Sequence, residues 1–168
     1  MTATARDLLT RLEADRDGLI AFFQAFLRAP SPNPPGDTRR AVAVLARFLD
    51  AHRAPFRIEA AEPHLPNVIG SYSMTDPGRH LVLNGHVDVF APIDDATAWT
   101  GALRDGRLFG RGAVDMKCGT AASAITYAYL HQVRDRLRGR LTLTCVADEE
   151  TGGRWGTAWL MDRFPAEV

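Results

Sequence analysis

Several common features are scarce in this sequence, and each scarcity excludes a class of protein. Cys118 and Cys145 are the two cysteines among 168 residues, too few for a disulfide framework and without the spacing of a zinc ribbon, so both are expected to be reduced and buried. No apolar stretch approaches the roughly 18 residues that a membrane span needs. The formal net charge is zero at pH 7, which provides no basic surface for nucleic acid and no acidic tail for a basic partner.

The beginning of the sequence also lacks a targeting signal. Residues 1–17 have neither the basic start nor the continuous apolar core of a secretory signal, which predicts a cytoplasmic protein. Lys117 is the sole lysine among 20 basic residues, a bias that indicates genome composition rather than function. What is present is ordinary for one globular domain, with 46% of residues hydrophobic and 24% charged.

Hydrophobic periodicity predicts helices that alternate with short strands. One amphipathic helix is expected over residues 8–27, and a second, capped by Asp37 or Thr38, stops near Ala54. Residues 91–106 form an irregular excursion. Strands are predicted over 56–60, 67–73, 80–84 and 141–147, with further helices over 119–133 and 155–164. This alternation predicts an α/β fold in which helices flank a mixed, largely parallel sheet.

Acidic residues and one histidine stand beside the predicted strands. His86 and Asp88 come just after the strand at 80–84, and Glu149 and Glu150 follow the strand at 141–147. Asp115 precedes the helix at 119–133. Because functional groups gather where the strands of an open α/β sheet end, three separate segments are expected to deliver these side chains to one edge.

Each of these segments has a structural interpretation when taken alone. His86 and Asp88, two residues apart in an extended segment, point to the same face, and a solvent-exposed pair is the commoner explanation of such a triplet. Asp115 alone would most simply cap a helix, and the acidic run alone would be a solvated turn with Glu150 or Thr151 as the next cap. The alternative for the triplet is a metal-bound imidazole whose second nitrogen donates to the carboxylate.

The glycine-rich segment over residues 109–123 does not match a nucleotide-binding motif. Its glycines are spaced GxGxxD rather than GxGxxG, and Lys117 precedes Cys118 where a phosphate loop needs Ser or Thr. The segment therefore supplies an acid, Asp115, in a tight loop that leads into a helix of small residues.

Taken together, the three segments favour a divalent cation. A carboxylate cluster persists at low dielectric only where something positive neutralises it, and a metal ion does so most directly. One histidine with several carboxylates favours zinc, cobalt or manganese over calcium or magnesium. An acid that is not a ligand can then take a proton from metal-bound water.

Three motifs carry a family resemblance: NGHVDV at 84–89, LFGRGAVDMK at 108–117 and ADEETGG at 147–153. In this order they resemble the dinuclear zinc hydrolases that include acetylornithine deacetylase, succinyl-diaminopimelate desuccinylase, aminoacylase and carboxypeptidase G. SPNPPGDT at 31–38 is similar to the N-terminal loop of that family. The resemblance covers essentially the whole chain.

The resemblance implies a role for each of five residues. His86 and Glu150 would each bind one of two zinc ions, for which Co²⁺ or Mn²⁺ are alternatives, and Asp115 would bridge the two metals. Asp88 would clamp the His86 ring, and Glu149 would be the general acid and base. The peptide bond after Asp115 would be cis.

The resemblance also implies a reaction, the hydrolysis of an amide bond in an N-acyl amino acid or small peptide. Hydroxide held at the metals would attack, and Glu149 would carry the proton to the leaving amine. Family members are more than twice this length, with a lid and dimerisation domain and two further metal ligands beyond the equivalent of Val168. Residues 1–168 are therefore expected to form the N-terminal part of a catalytic domain that is inactive alone and becomes a homodimer only where the lid is present.

Two alternatives stay open for the isolated chain. It could be a non-catalytic, truncated paralogue, or a half-enzyme that a separate C-terminal chain completes. The resemblance assigns no role to Asp148, and the segment between Trp99 and Gly110 is shorter than is usual in the family.

Overall fold

The computed structural model of the chain describes residues 1–93 and 95–168. Over this part of the chain the helices are α1 (Ala3–Ala14), α2 (Arg16–Leu27), α3 (Arg39–Ala51), α4 (Asp95–Ala98), α5 (Lys117–Gln132) and α6 (Thr157–Arg163). The strands are β1 (Arg57–Glu59), β2 (Asn67–Ser73), β3 (Asp76–His86), β4 (Ala102–Arg104), β5 (Arg107–Phe109) and β6 (Arg138–Val146). Single 3₁₀ turns at Arg134–Arg136 and Glu149–Thr151 stand on either side of β6.

The main sheet has the strand order β1-β2-β6-β3. β6 pairs antiparallel with β2 and parallel with β3, and β1 pairs antiparallel with β2. The predicted α/β fold with a mixed sheet is confirmed, but among the described strands one pairing of three is parallel, so the sheet is not largely parallel. The reason is topological: β6 inserts between β2 and β3, two consecutive strands that run in opposite directions, and can be parallel to only one of them.

The first predicted helix is two helices. α1 and α2 meet at Asp15, whose carboxylate accepts a hydrogen bond of 2.6 Å from the Tyr129 hydroxyl. The apolar spacing runs through the break, because Leu12 in α1 and Leu19 in α2 both pack against the same core. The periodicity was therefore correct about the buried face and wrong about the continuity of the helix.

The cap of α3 also differs in detail from the prediction. Thr38 occupies the N-cap position without a capping hydrogen bond from its side chain, and Asp37 Oδ1 instead accepts from the Arg39 N–H at 3.2 Å. The apolar face predicted for this helix is buried, with Leu45 and Leu49 inaccessible to solvent.

The two faces of the sheet are covered differently. On β6, Leu141, Leu143 and Cys145 belong to the core under the helices, where α3 packs against β2 and α5 against β3 and β6. Thr144 and Val146 point to the opposite face, where they line a small cavity with Leu160 and other residues of α6. Both cysteines are free, Cys145 buried and Cys118 half-buried.

The excursion predicted over residues 91–106 contains some regular structure. α4 and β4 lie within it. β4 forms an antiparallel hairpin with β5, which follows the excursion directly, and Ala102 pairs with Phe109. Asp94, which belongs to the same segment, lies outside the described residues. Among the helices that the structure describes, none combines the length and apolar character required to cross a membrane.

Candidate metal centre

The parallel pairing of β3 with β6 brings the predicted site residues to one edge of the sheet. His86, the last residue of β3, lies opposite Val146, the last residue of β6, so the segments that follow both strands leave the sheet side by side. Asp88 lies two residues beyond β3, and Glu149 and Glu150 form the 3₁₀ turn after β6. The convergence expected from the sequence is present.

Asp115 reaches this edge from the loop that precedes α5. The helix approaches β3 closely enough that a Cβ built on Gly85 would lie 2.6 Å from Thr120 Oγ1, so only glycine fits at that strand position. Ala121 and Ala124 are buried on the same helix, which accords with the packing expected of its small residues. The Asp115–Met116 peptide bond is cis, as the resemblance implied.

Three predicted ligands lie together. One donor atom each from His86, Asp115 and Glu150 fall within 4.8 Å of one another. The Nε2 atom of His86 is 3.2 Å from Asp115 Oδ1 and 3.6 Å from Glu149 Oε2. An imidazole nitrogen therefore faces two carboxylates, while Glu150 Oε1 accepts a hydrogen bond of 2.8 Å from the Phe90 N–H.

The His86 ring is buried and strongly favours its protonated form. Burial disfavours the charge, but hydrogen bonds to Asp88 and the negative charges of Asp88 and Glu149 outweigh it and raise the pKa of His86 to about 9. Asp88 acts from the Nδ1 side, and the negative charge of Glu149, 3.6 Å from Nε2, adds to the effect, so the position in front of Nε2 favours a cation.

Asp88 orients the His86 ring chiefly through its backbone. His86 Nδ1 lies 2.8 Å from the carbonyl oxygen of Asp88, so Nδ1 carries a hydrogen and donates it, and Nε2 is left to face the acids. The Asp88 carboxylate is farther from Nδ1, at 3.4 Å. The geometry thus favours a ligand nitrogen at Nε2, with the ring fixed from the other side.

The buried Asp88 carboxylate also holds the acidic turn. Its oxygens accept hydrogen bonds from the backbone N–H groups of Glu149, at 3.2 Å, and Glu150, at 3.0 Å. Burial alone would raise the pKa of Asp88, but the hydrogen bonds from His86, Asn33 and the Glu150 N–H outweigh burial and lower it. Asp88 is therefore an ionised anchor for both glutamates.

Asp148, which had no assigned role, shapes the turn rather than facing the three ligands. Its φ of 78° is left-handed, and its carboxylate accepts from the Trp155 N–H at 2.9 Å and from the Thr151 hydroxyl. Gly152 and Gly153 also have positive φ, and the chain then turns into α6. The three adjacent acids thus serve different purposes, because Asp148 is turned inward while Glu149 and Glu150 are presented at the sheet edge.

Sequence reasoning missed Asn33. This buried side chain donates from Nδ2 to Asp88 Oδ2 at 3.0 Å, to Asp148 Oδ1 at 3.2 Å and to Thr151 Oγ1 at 3.0 Å. The available signal was its place in SPNPPGDT, the fourth segment of the family resemblance, where an amide stands among three prolines.

Lys117 was also missed. The side chain is fully buried, and its Nζ donates to the backbone carbonyls of Phe26, at 3.0 Å, and Ala29, at 2.6 Å. Burial lowers the pKa of Lys117 to about 7. It joins the end of α2 to the start of α5, two residues after Asp115. The signal was its rarity, since every other basic residue in the chain is arginine.

The donor set fits a divalent transition metal. It combines one imidazole, which binds a metal in its neutral form, with carboxylates from two other segments. This mixture is typical of sites for zinc, cobalt or manganese. The carboxylate of Asp115 is 77% exposed and that of Glu149 is 59% exposed, so a metal ion and a substrate can both reach them. His86, Asp115 and Glu150 are the residues that could hold such an ion.

A mixed α/β fold with candidate metal ligands at one edge of its sheet suits a metal-dependent hydrolase. Residues 82–168, just over half of the chain, match Peptidase family M20/M25/M40. The chain belongs to this family.

Individual relatives agree with this assignment. The chain is 37% identical over 153 residues to the succinyl-diaminopimelate desuccinylase of Methylorubrum extorquens, a match that covers 85% of this chain and 38% of the relative. Its fold is similar to that of human carnosine dipeptidase 1, with a TM-score of 0.76 and 21% identity over 99% of this chain and 40% of the other. A dinuclear metal binding peptidase from Bacillus subtilis has a TM-score of 0.63 and 19% identity, covering 89% and 39%. The chain therefore spans about two fifths of the length of these proteins.

Proposed function

We propose that this chain contributes to the metal-dependent hydrolysis of an amide bond in an N-acyl amino acid or small peptide. The observation that supports this most is the meeting of His86 Nε2, Asp115 and Glu150 within 4.8 Å, with Glu149 beside them. These residues come from three segments that are far apart in the sequence and that a solvated turn alone would not bring together.

The metal would be held by His86, Asp115 and Glu150, as one or two ions of Zn²⁺, Co²⁺ or Mn²⁺. When bound, such an ion polarises a carbonyl and lowers the pKa of water. The dinuclear proposal is supported by the neighbour from Bacillus subtilis, which is a dinuclear metal binding peptidase.

The remaining roles in the proposed reaction are those of the chain itself. Glu149, exposed and 3.6 Å from His86 Nε2, accepts a proton from water and delivers it to the leaving amine. Asp88 keeps the imidazole in the tautomer that leaves Nε2 free for a ligand. The relatives act on different amides, a desuccinylase and a dipeptidase among them, so the proposal stops at the class of bond.

Completion by further polypeptide is part of the proposal. Three ligands would hold two ions weakly, and the resemblance implies two further ligands from the C-terminal part of a family catalytic domain. β3 lies at the edge of the sheet in the part of the chain that the structure describes, and Leu81 and Val82 on it are 55% and 37% exposed. An apolar open edge favours pairing with additional structure, in the same polypeptide or in a separate chain.

Metal analysis combined with an assay tests the proposal. The 168-residue chain, alone and together with the C-terminal portion of a desuccinylase-like catalytic domain, is dialysed against zinc and assayed on N-succinyl and N-acetyl amino acids and dipeptides. We expect weak binding and no turnover by the chain alone, and two tightly bound ions with turnover in the completed form. A completed form that binds zinc without hydrolysing any of these amides would support the non-catalytic alternative. Tight binding and turnover by the chain alone would contradict the need for completion.

A further inference from the structure

Asn33 lies on a short segment that runs beside the site. Ser31 Oγ donates to the Val87 carbonyl at 2.7 Å, the Val89 N–H donates to Ser31, and the Asn33 N–H donates to Val89 at 2.9 Å. Pro32 forms a parallel bridge with Val89. The loop is therefore tied by its backbone to the segment that carries Asp88, and the Asn33 side chain does not have to hold the loop in place.

The amide of Asn33 is buried, with 4% of the residue exposed, and it is directed at two carboxylates. Its two N–H hydrogens serve three acceptors, on Asp88, Asp148 and Thr151, all within 3.2 Å of Nδ2. These contacts join the segment after β3 to the turn after β6. Asn33 is thus the side chain through which the N-terminal loop contacts both halves of the site.

We propose that Asn33 is a positioning residue for the reacting acids. Its amide fixes the carboxylates of Asp88 and Asp148; Asp88 in turn holds the backbone N–H groups of Glu149 and Glu150, and Asp148 holds the turn around them. Asn33 acts through these residues, because its side-chain hydrogen bonds go to Asp88, Asp148 and Thr151 rather than to a proposed metal ligand or to Glu149. The inference deepens the proposed function, because it rests on the roles given there to Glu149 and Glu150.

The chemistry of the amide explains why asparagine stands at this position. Asp88 and Asp148 both accept a hydrogen bond from Asn33 Nδ2, so their carboxylates lie near one another. Two buried carboxylates in such proximity repel unless a hydrogen-bond donor stands between them. A neutral donor neutralises no charge and leaves Asp88 free to stay ionised opposite His86. Aspartate at position 33 has the same shape, but it would add a third carboxylate and remove both hydrogens.

The test uses Asn33→Ala and Asn33→Ser, with Asn67→Ala as the matched control. Asn67 is also a buried asparagine, but its side chain bonds to backbone groups, including the Ala147 N–H at 2.9 Å and the Trp155 carbonyl at 3.0 Å. Each variant of the 168-residue chain is measured for Co²⁺ affinity and cobalt absorption spectrum. In the metal-free chain, the His86 Nδ1–H signal is followed by NMR, together with the thermal midpoint.

We expect both Asn33 variants to weaken Co²⁺ binding by about 10- to 100-fold, as loss of a residue behind a metal ligand commonly does. The His86 Nδ1–H signal should shift and exchange faster. Asn67→Ala should lower the thermal midpoint while keeping Co²⁺ affinity within about twofold and the His86 signal unchanged. Asn33→Ser retains a small polar side chain and provides a second folded variant if Asn33→Ala does not fold.

Asn33 variants that lose only thermal stability, as the control does, would overturn the positioning role. Failure of the proposed function is a separate outcome. In that case the wild-type chain and its completed form would neither bind Co²⁺ nor hydrolyse amides, and the metal-free His86 signal would still decide whether Asn33 positions the site.

Discussion

The site has a buried part, formed by Asp88 and Asn33, and an exposed part, formed by Asp115, Glu149 and Glu150. We call them the floor and the rim, and they differ in how many hydrogen-bond partners their side chains find within this chain. In the floor, Asp88 and Asn33 are almost inaccessible to solvent, and their side chains are joined by hydrogen bonds to neighbouring segments. At the rim, the carboxylates of Asp115 and Glu149 are largely exposed and lie near the His86 ring. Among the described residues, the side chains of Asp88 and Asn33 have hydrogen-bond partners in the floor, whereas the rim presents negative charge to whatever binds there.

This difference separates stability from chemistry. Residues of the floor hold one arrangement of the backbone, so their loss is expected to cost folding free energy as well as function. Residues of the rim make few contacts that folding needs, so their loss is expected to remove chemistry and leave the fold intact. Functional sites commonly keep neighbouring carboxylates although these repel one another, and a bound cation relieves the repulsion.

Glu149→Gln at the rim should have the largest effect. In a completed, active form of the enzyme, the amide cannot accept or deliver a proton, so turnover should fall by about 10²- to 10⁴-fold. Metal content should be unchanged, because Glu149 is not one of the proposed ligands. Turnover and bound zinc are measured together, with the exposed Glu13→Gln as control. Retained turnover would remove Glu149 from the role of proton carrier.

Asp88→Ala tests the floor against Asp115→Ala at the rim. Removing the buried Asp88 carboxylate leaves the N–H groups of Glu149 and Glu150 without their acceptor and the protonated His86 without its counter-charge. The free energy of unfolding should fall by about 3 kcal/mol. Asp115→Ala should stay within about 0.5 kcal/mol of wild type while weakening metal binding. Urea unfolding of the two metal-free variants measures both free energies. Equal losses of stability would remove the distinction between floor and rim.

The pKa of His86 reports the negative charge that the floor and the rim place around its ring. In the metal-free chain the pKa of His86 should be about 9, and Asp88→Asn should lower it towards the ordinary 6.5. Because the pKa is raised in the folded state, the stabilisation from protonated His86 is complete below pH 6.5 and is lost as the pH rises through about 9. NMR titration of the imidazole signals is the measurement. His131, whose pKa is lowered by burial and by Arg134, serves as a control of opposite direction.

The acidic residues of the rim could be predicted from the sequence, whereas in the floor Asp88 was predicted and Asn33 was not. His86, Asp115, Glu149 and Glu150 are polar residues next to apolar strands or a small-residue helix, and strand ends meet at a sheet edge whatever the details of packing. Their roles at the metal remain a proposal. Asn33 could not be predicted in the same way, because its importance depends on which carboxylates the folded loop brings within reach.

The fold shows the same division. The strands and helices follow local periodicity, but Asp15, where the first predicted helix breaks, accepts a hydrogen bond from Tyr129, a residue more than a hundred positions away. The insertion of β6 between β2 and β3 is likewise a property of the whole chain. Lys117 is a further case, because the sequence interpretation addressed only its rarity and did not predict that its Nζ joins the end of α2 to the start of α5.

A salt bridge outside both layers supplies the smallest expected effect and the baseline for the others. Arg57 donates to Glu167 at 2.9 Å, and these hydrogen bonds lower the pKa of the Glu167 carboxyl. Because both side chains are partly exposed, Glu167→Gln should lower the free energy of unfolding by only about 0.5 kcal/mol at pH 7. The depressed pKa means that this contribution is present above pH 4.5 and disappears as the pH falls through the lowered value. Urea unfolding at pH 7 and pH 3 measures it; a loss as large as that of Asp88→Ala would mean that the floor is no more stabilising than an ordinary surface pair.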